Sequence, residues 1–164
     1  MTNLINQWFP NAAQLWPDFW QASLETLQMT IITGIIAGII GLIIGILLLI
    51  TGEKGLKPNK LIYIILDKIV DIGRSIPFII LLAVLVPFTR LIVGTSVGTA
   101  AVTVPLVLGT IPFFARQIQN ALLEVDPGVV EAARAMGVGD FGIIYRVYLR
   151  EGLDRKSTRL NSSH

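Results

Sequence analysis

The sequence predicts an all-α fold, a polytopic bundle of transmembrane helices, and three observations carry that expectation. The chain is 53% hydrophobic and 15% charged with a mean hydropathy of +0.71, more apolar surface than a soluble domain of 164 residues buries. Two stretches, 26–52 and 91–115, hold no charged residue, and at ~1.5 Å per residue each is long enough for the ~30 Å hydrocarbon core. A polar segment over 51–60, with Lys54, Lys57, Lys60 and Pro58, separates the first of these runs from the rest of the chain.

Residues 1–23 contain no Lys or Arg, the first being Lys54, so they lack the basic start of a cleaved signal and are expected to stay on the protein. Trp8, Phe9, Trp16, Phe19 and Trp20 concentrate there, and Trp16, Phe19 and Trp20 share a helical face at i, i+3, i+4. An interfacial helix in contact with membrane lipid fits this pattern; a disordered aromatic leader is the alternative.

The first span is placed at 26–52. Gly34, Gly38, Gly41 and Gly45 lie within about 60° of one another at ~100° per residue, a small-residue face on which another helix can pack closely. The general enrichment of glycine in membrane helices is the competing explanation. Over 61–74 the pattern is amphipathic, with Asp67, Asp71 and Arg74 on one face and Ile65, Ile69, Ile72 and Ile76 opposite. A second span is placed at about 69–89, with Asp71 and Arg74 at the interface or facing the bundle interior and spaced to pair at i, i+3. The third span is placed at 91–115. Pro77, Pro87, Pro105 and Pro112 mark expected kinks, while Thr99, Thr103 and Thr110 either line a polar path or bond their own helix backbone.

Lys and Arg in short loops set the orientation. None precedes the first span, three lie between Lys54 and Lys60, only Arg90 follows the second span, and Arg116, Arg134, Arg146 and Arg150 follow the third. The positive-inside rule then places the N-terminus outside the cell and the segment after Arg116 in the cytoplasm.

In that segment Asp126 is a good N-cap, Pro127 suits the first helical position, and Gly137 suits a left-handed stop. A cytoplasmic helix of roughly ten residues, about 15 Å long, is predicted, small enough to dock in a groove of a partner or simply to link two spans. The final stretch, 154–164, is polar and aperiodic and reads as a non-native tail.

Several chemistries are excluded on inventory. With no Cys and a single His at His164, there is no disulfide, no Cys/His metal site and no Ser-His or Cys-His nucleophile pair. Gly137, Gly139 and Gly142 spell G-x-G-x-x-G without a preceding strand or an acidic residue at the expected offset, and no P-loop occurs, so no cofactor or nucleotide is expected on this chain. The basic residues are dispersed without aromatic partners, which argues against nucleic acid.

Glu131, Ala132 and Ala133, followed by Gly137, Val147 and Leu149, resemble the EAA loop of bacterial ABC importer permeases. The stretches 74–81, 87–96 and 120–124 resemble the permeases of methionine importers, and the similarity runs from about Glu25 to Leu153. The resemblance implies a homodimeric permease with about five spans, three of them present here. It would work with two cytoplasmic ATPase subunits and an extracytoplasmic substrate-binding lipoprotein. It further implies that Glu131, Ala132, Ala133 and Gly137 form the ATPase-coupling helix, that this chain is not itself an enzyme, and that it sits in the bacterial inner membrane. Leu149-Arg150 departs from the Leu-Pro usual in the family, and the expected later spans do not follow, so the chain reads as C-terminally truncated. A permease for another amino acid shares the loop and remains open, as does a non-transporting membrane scaffold. An intramembrane enzyme has only Asp67 and Asp71 as a close acidic pair.

Overall fold

A computed structural model describes residues 12–95 and 97–151 of the chain. The expected aromatic leader at Trp8 and Phe9 and the tail at 154–164 lie outside the described residues. Apart from its connections the described part is helical: α1 (Ala12–Thr51), α2 (Lys60–Ser75), α3 (Phe78–Val93), α4 (Thr99–Leu123), α5 (Pro127–Ala135) and a single turn, α6 (Asp140–Gly142), that runs into a π-helical segment, Ile143–Leu149. Among the described residues α1 and α4 are each long and apolar enough to cross a membrane, and α2 with α3 makes a third span if the bent pair is counted as one.

α1 differs from the expected interfacial helix followed by a separate span. It runs unbroken for 40 residues, about 60 Å, with Pro17 inside it. No glycine or proline over 18–25 interrupts the helix, so the aromatic turn and the apolar run share one axis. Trp16, Phe19 and Trp20 remain exposed, with the Trp16 and Phe19 rings stacked at 5.8 Å. Twice the thickness of the hydrocarbon core, α1 carries these rings beyond its apolar run, where amphipathic aromatics favour the headgroup layer.

The stretch predicted as a second span, 69–89, is divided. α2 ends at Ser75 and α3 begins at Phe78, with a 107° bend between them. Steric conflict with the Pro77 ring disfavours helical backbone at the residue before it, and Ile76 accordingly sits at φ −79°, ψ 121°. Pro77, expected as a kink, is therefore a full break. Asn59 opens α2 by accepting the Ile62 amide at 3.2 Å, and Gly94, at φ 79°, closes α3 with its N–H on the Arg90 carbonyl.

α4 is the hub. It packs chiefly along α1 and also against α2 and α3. Small residues set each approach: Gly73 of α2 lies under Pro112, and Gly109 of α4 under Leu81 and Phe78 of α3. Leu48, Val70 and Ala115 form one buried cluster between α1, α2 and α4. The hydroxyls of Thr103 and Thr110 donate to Thr99 and Leu106 carbonyls one turn back, so they satisfy their own helix backbone.

Candidate functional site

The 126–137 segment folds as a capped helix because each end satisfies its own backbone. The Asp126 carboxylate accepts the Gly128 amide at 2.8 Å, and Pro127 occupies the first turn where no N–H partner is needed. At the other end the Gly137 N–H donates to Arg134 O at 2.9 Å and the Val138 N–H to Ala133 O at 3.1 Å, the paired bonds of a Schellman motif. That geometry requires the left-handed backbone of Gly137, φ 78°.

α5 has an inner and an outer face. Val130 and Ala133 are buried in a cluster with Leu49 of α1, Leu122, Val125, and Ile143, Val147 and Tyr148 of the π-helical segment. In that segment i→i+5 bonding brings i, i+4 and i+5 to one side, which is the spacing of its three buried residues. Glu131, Ala132, Arg134 and Met136 are exposed. The two alanines of the predicted motif therefore point in opposite directions: Ala132 outward, where a small side chain permits close approach, and Ala133 into the chain's own core. Burial pushes the Tyr148 phenol above its ordinary value against the opposing pull of the Arg134 charge, so it stays neutral.

One further contact ties this unit to the bundle. Lys57, in the loop after α1, meets Asp140 at 3.3 Å, joining that loop to the chain after Gly137. Both partners are well exposed, so the pair contributes little stability. A cleft of about 670 Å³ opens between the same loop and α5, with Glu53, Lys54, Glu131 and Arg134 on its walls and Leu49, Leu122 and Val130 among its floor residues.

The four glycines of α1 do not act alike. A Cβ at Gly41 would lie 2.6 Å from Phe114 Cβ, and one at Gly45 would lie 2.8 Å from Ala115 O, both on α4. Among the described residues Gly34 and Gly38 have nothing within 4 Å of such an atom. The closest part of the α1–α4 crossing thus uses Gly41 and Gly45, while Gly34 and Gly38 are turned away from it, although Thr33 and Ala37 beside them are buried.

A partly buried polar network, with Asp71 on its exposed side, escaped the sequence reading. Arg116 of α4 donates at 2.7 Å to each of Asp67 and Asp71 of α2 and, through its other terminal nitrogen, to Gln119 at 2.7 Å. The expected Asp71–Arg74 pair exists but is looser, at 4.0 Å. The one available signal was that Asp67 and Asp71 share a face inside an apolar region and need a cation; which cation cannot be read from spacing along one chain.

Residues 37–154 match the family of binding-protein-dependent transport system inner membrane components. Over 129 residues the chain is 51% identical to the D-methionine transport system permease protein MetI of Yersinia pestis, an alignment covering 79% of this chain and 59% of that protein. It is 49% identical to the corresponding permease of Escherichia coli K12 over the same shares of the two chains. A solved inward-facing conformation of the MetNI methionine ABC transporter superposes with a TM-score of 0.79 at 46% identity, over 84% of this chain and 65% of that one. The chain therefore spans about three fifths of the length of these relatives. With spanning helices arranged as in that structure and a family match across most of its length, the chain belongs to the binding-protein-dependent transport system inner membrane components.

Proposed function

We propose that this chain supplies part of the translocation path of an ATP-driven importer for methionine, D- or L-, and that α5 is the helix an ABC ATPase subunit grips. The observation that carries the reading is the two-faced geometry of α5. Val130 and Ala133 root it in the bundle, so its exposed Glu131–Ala132 face is presented by a rigid base. The similarity to permeases of methionine transport systems supports the substrate. In this reading a second copy completes the path, a substrate-binding lipoprotein delivers methionine from outside, and closure of the ATPase pair moves the helices through α5. The N-terminus lies outside the cell, since Lys54, Lys57 and Lys60 mark the first loop as cytoplasmic.

A pair of adjacent substitutions tests the gripping face. Ala132→Arg leaves the buried cluster untouched and is expected to cut co-purification with a methionine-importer ATPase at least tenfold while thermal unfolding in detergent stays unchanged. Ala133→Arg forces a charge into the cluster and is expected to lower stability itself, by about 3 kcal/mol or more. Equal ATPase retention by Ala132→Arg and the unmodified chain would remove α5 as the docking element.

A further inference from the structure

The polar network between α2 and α4 is more than a partly buried ion pair, because among the described residues α2 is otherwise held only by the cluster around Val70, with Tyr63 and Leu66 against it, and by Gly73 under Pro112. Of its sixteen residues only Val70 is buried, so apolar packing alone fixes its position weakly. Arg116 supplies the missing attachment: Nη2 spans one turn of α2 by meeting Asp67 and Asp71, and Nη1 is held by Gln119, itself buried. The Arg116 side chain is 15% exposed and that of Asp67 24%, which keeps solvent from competing freely for the bond. Arg116 lies seven residues from the end of α4 and Asp67 seven from the start of α2, so the contact sits about 10 Å in from the C-terminal end of α4 and the N-terminal end of α2. Farther along, Gly73 and Pro112 make the second point of close approach.

α2 is also the continuation of the loop that Lys57 ties to Asp140. A displacement of the chain after α5 thus has a route to α4 besides the direct packing of Val125 and Leu122: through Lys57 into α2, and across the guanidinium. Asp71 has an alternative cation in Arg74 at 4.0 Å, whereas Asp67 has no second ion-pair partner among the described residues, making Asp67–Arg116 the indispensable half.

We propose that Arg116 is a positioning residue that locks α2 to α4, so that movement begun at the cytoplasmic loops reaches α4 at this depth; the coupling part of the proposal rests on the importer reading above. The chain has no cysteine, so an introduced pair reports without background. A Cβ at Gly73 would lie 3.1 Å from Pro112 Cβ, within a few tenths of an ångström of disulfide geometry, so Gly73→Cys with Pro112→Cys is the probe. In membranes, with a protease site inserted after Thr95 to reveal the cross-link, oxidation is expected to join the two helices rapidly. In the Arg116→Gln background the rate is expected to fall at least tenfold, and in Arg116→Lys by less. Asp67→Asn is expected to slow it more than Asp71→Asn, and helix content by circular dichroism is expected to hold in all four. An unchanged rate in Arg116→Gln, or a rate equally low in Arg116→Lys, would overturn the lock. In the assembled transporter, Arg116→Gln without the cysteines is expected to keep ATP hydrolysis within twofold and lose at least tenfold in methionine uptake. Uptake and hydrolysis falling together would overturn the coupling role. Should the unmodified chain fail to bind any ATPase, the importer reading fails, and the cross-linking rates still decide the lock.

Discussion

Gly137→Val is expected to lose at least tenfold in ATPase association while the chain still inserts into the membrane. The residue holds φ 78° with no neighbouring atom within 4 Å of an added Cβ, so the obstacle is backbone strain and not crowding. A left-handed conformation costs an ordinary residue about 1–2 kcal/mol, and a β-branched one more. Escape from it breaks both bonds of the Schellman motif, to Arg134 O and Ala133 O, and releases the end of α5 that Val138 pins to the core. A penalty of about 2 kcal/mol corresponds to roughly a 30-fold fall in the population with that end closed. Gly137→Asn, which tolerates the left-handed region, is expected to recover most of the association. Full activity in Gly137→Val, or an equal loss in both variants, would show that the closed end of α5 is not what the partner recognises.

The second large effect is expected on α1, where leucine at Gly45 and leucine at Gly34 should differ sharply. At Gly45 the new Cβ would meet Ala115 O at 2.8 Å and Ile118 Cβ at 2.9 Å. The first of these is backbone, so only separation of α1 from α4 relieves it, and with it goes the crossing on which the rest of the bundle leans. A loss of about 1–3 kcal/mol is expected for Gly45→Leu in detergent unfolding. Gly34→Leu enters open space and is expected to stay within about 0.5 kcal/mol of the parent chain. Similar losses at the two positions would mean that Gly34 is packed as closely as Gly45.

These two expectations also mark what can be read from sequence and what cannot. The helical class, the charge-free runs and both ends of α5 follow from local chemistry: a run too apolar for water, an acidic cap before proline, a glycine where the chain must turn left-handed. A shared glycine face is equally local, but how far along it a neighbour stays in contact depends on the crossing angle, which no single helix encodes. The same limit hid the opposite directions of Ala132 and Ala133, since the buried side of a short helix is chosen by what lies beneath it. Pro77 was visible as a disruption, yet a kink and a 107° break look alike in sequence. Arg116 itself stands 45 and 49 residues from its partners, beyond the reach of any periodicity.

The most direct measurement of the central claim uses the absence of cysteine once more. Ala132→Cys places a single thiol on the outer face of α5, to be challenged with a membrane-impermeant maleimide applied first to intact cells and then to inverted membrane vesicles, with and without the ATPase. The account predicts labelling only in the inverted vesicles and at least tenfold slower labelling once the ATPase is bound. Labelling in intact cells, or a rate indifferent to the ATPase, would contradict it.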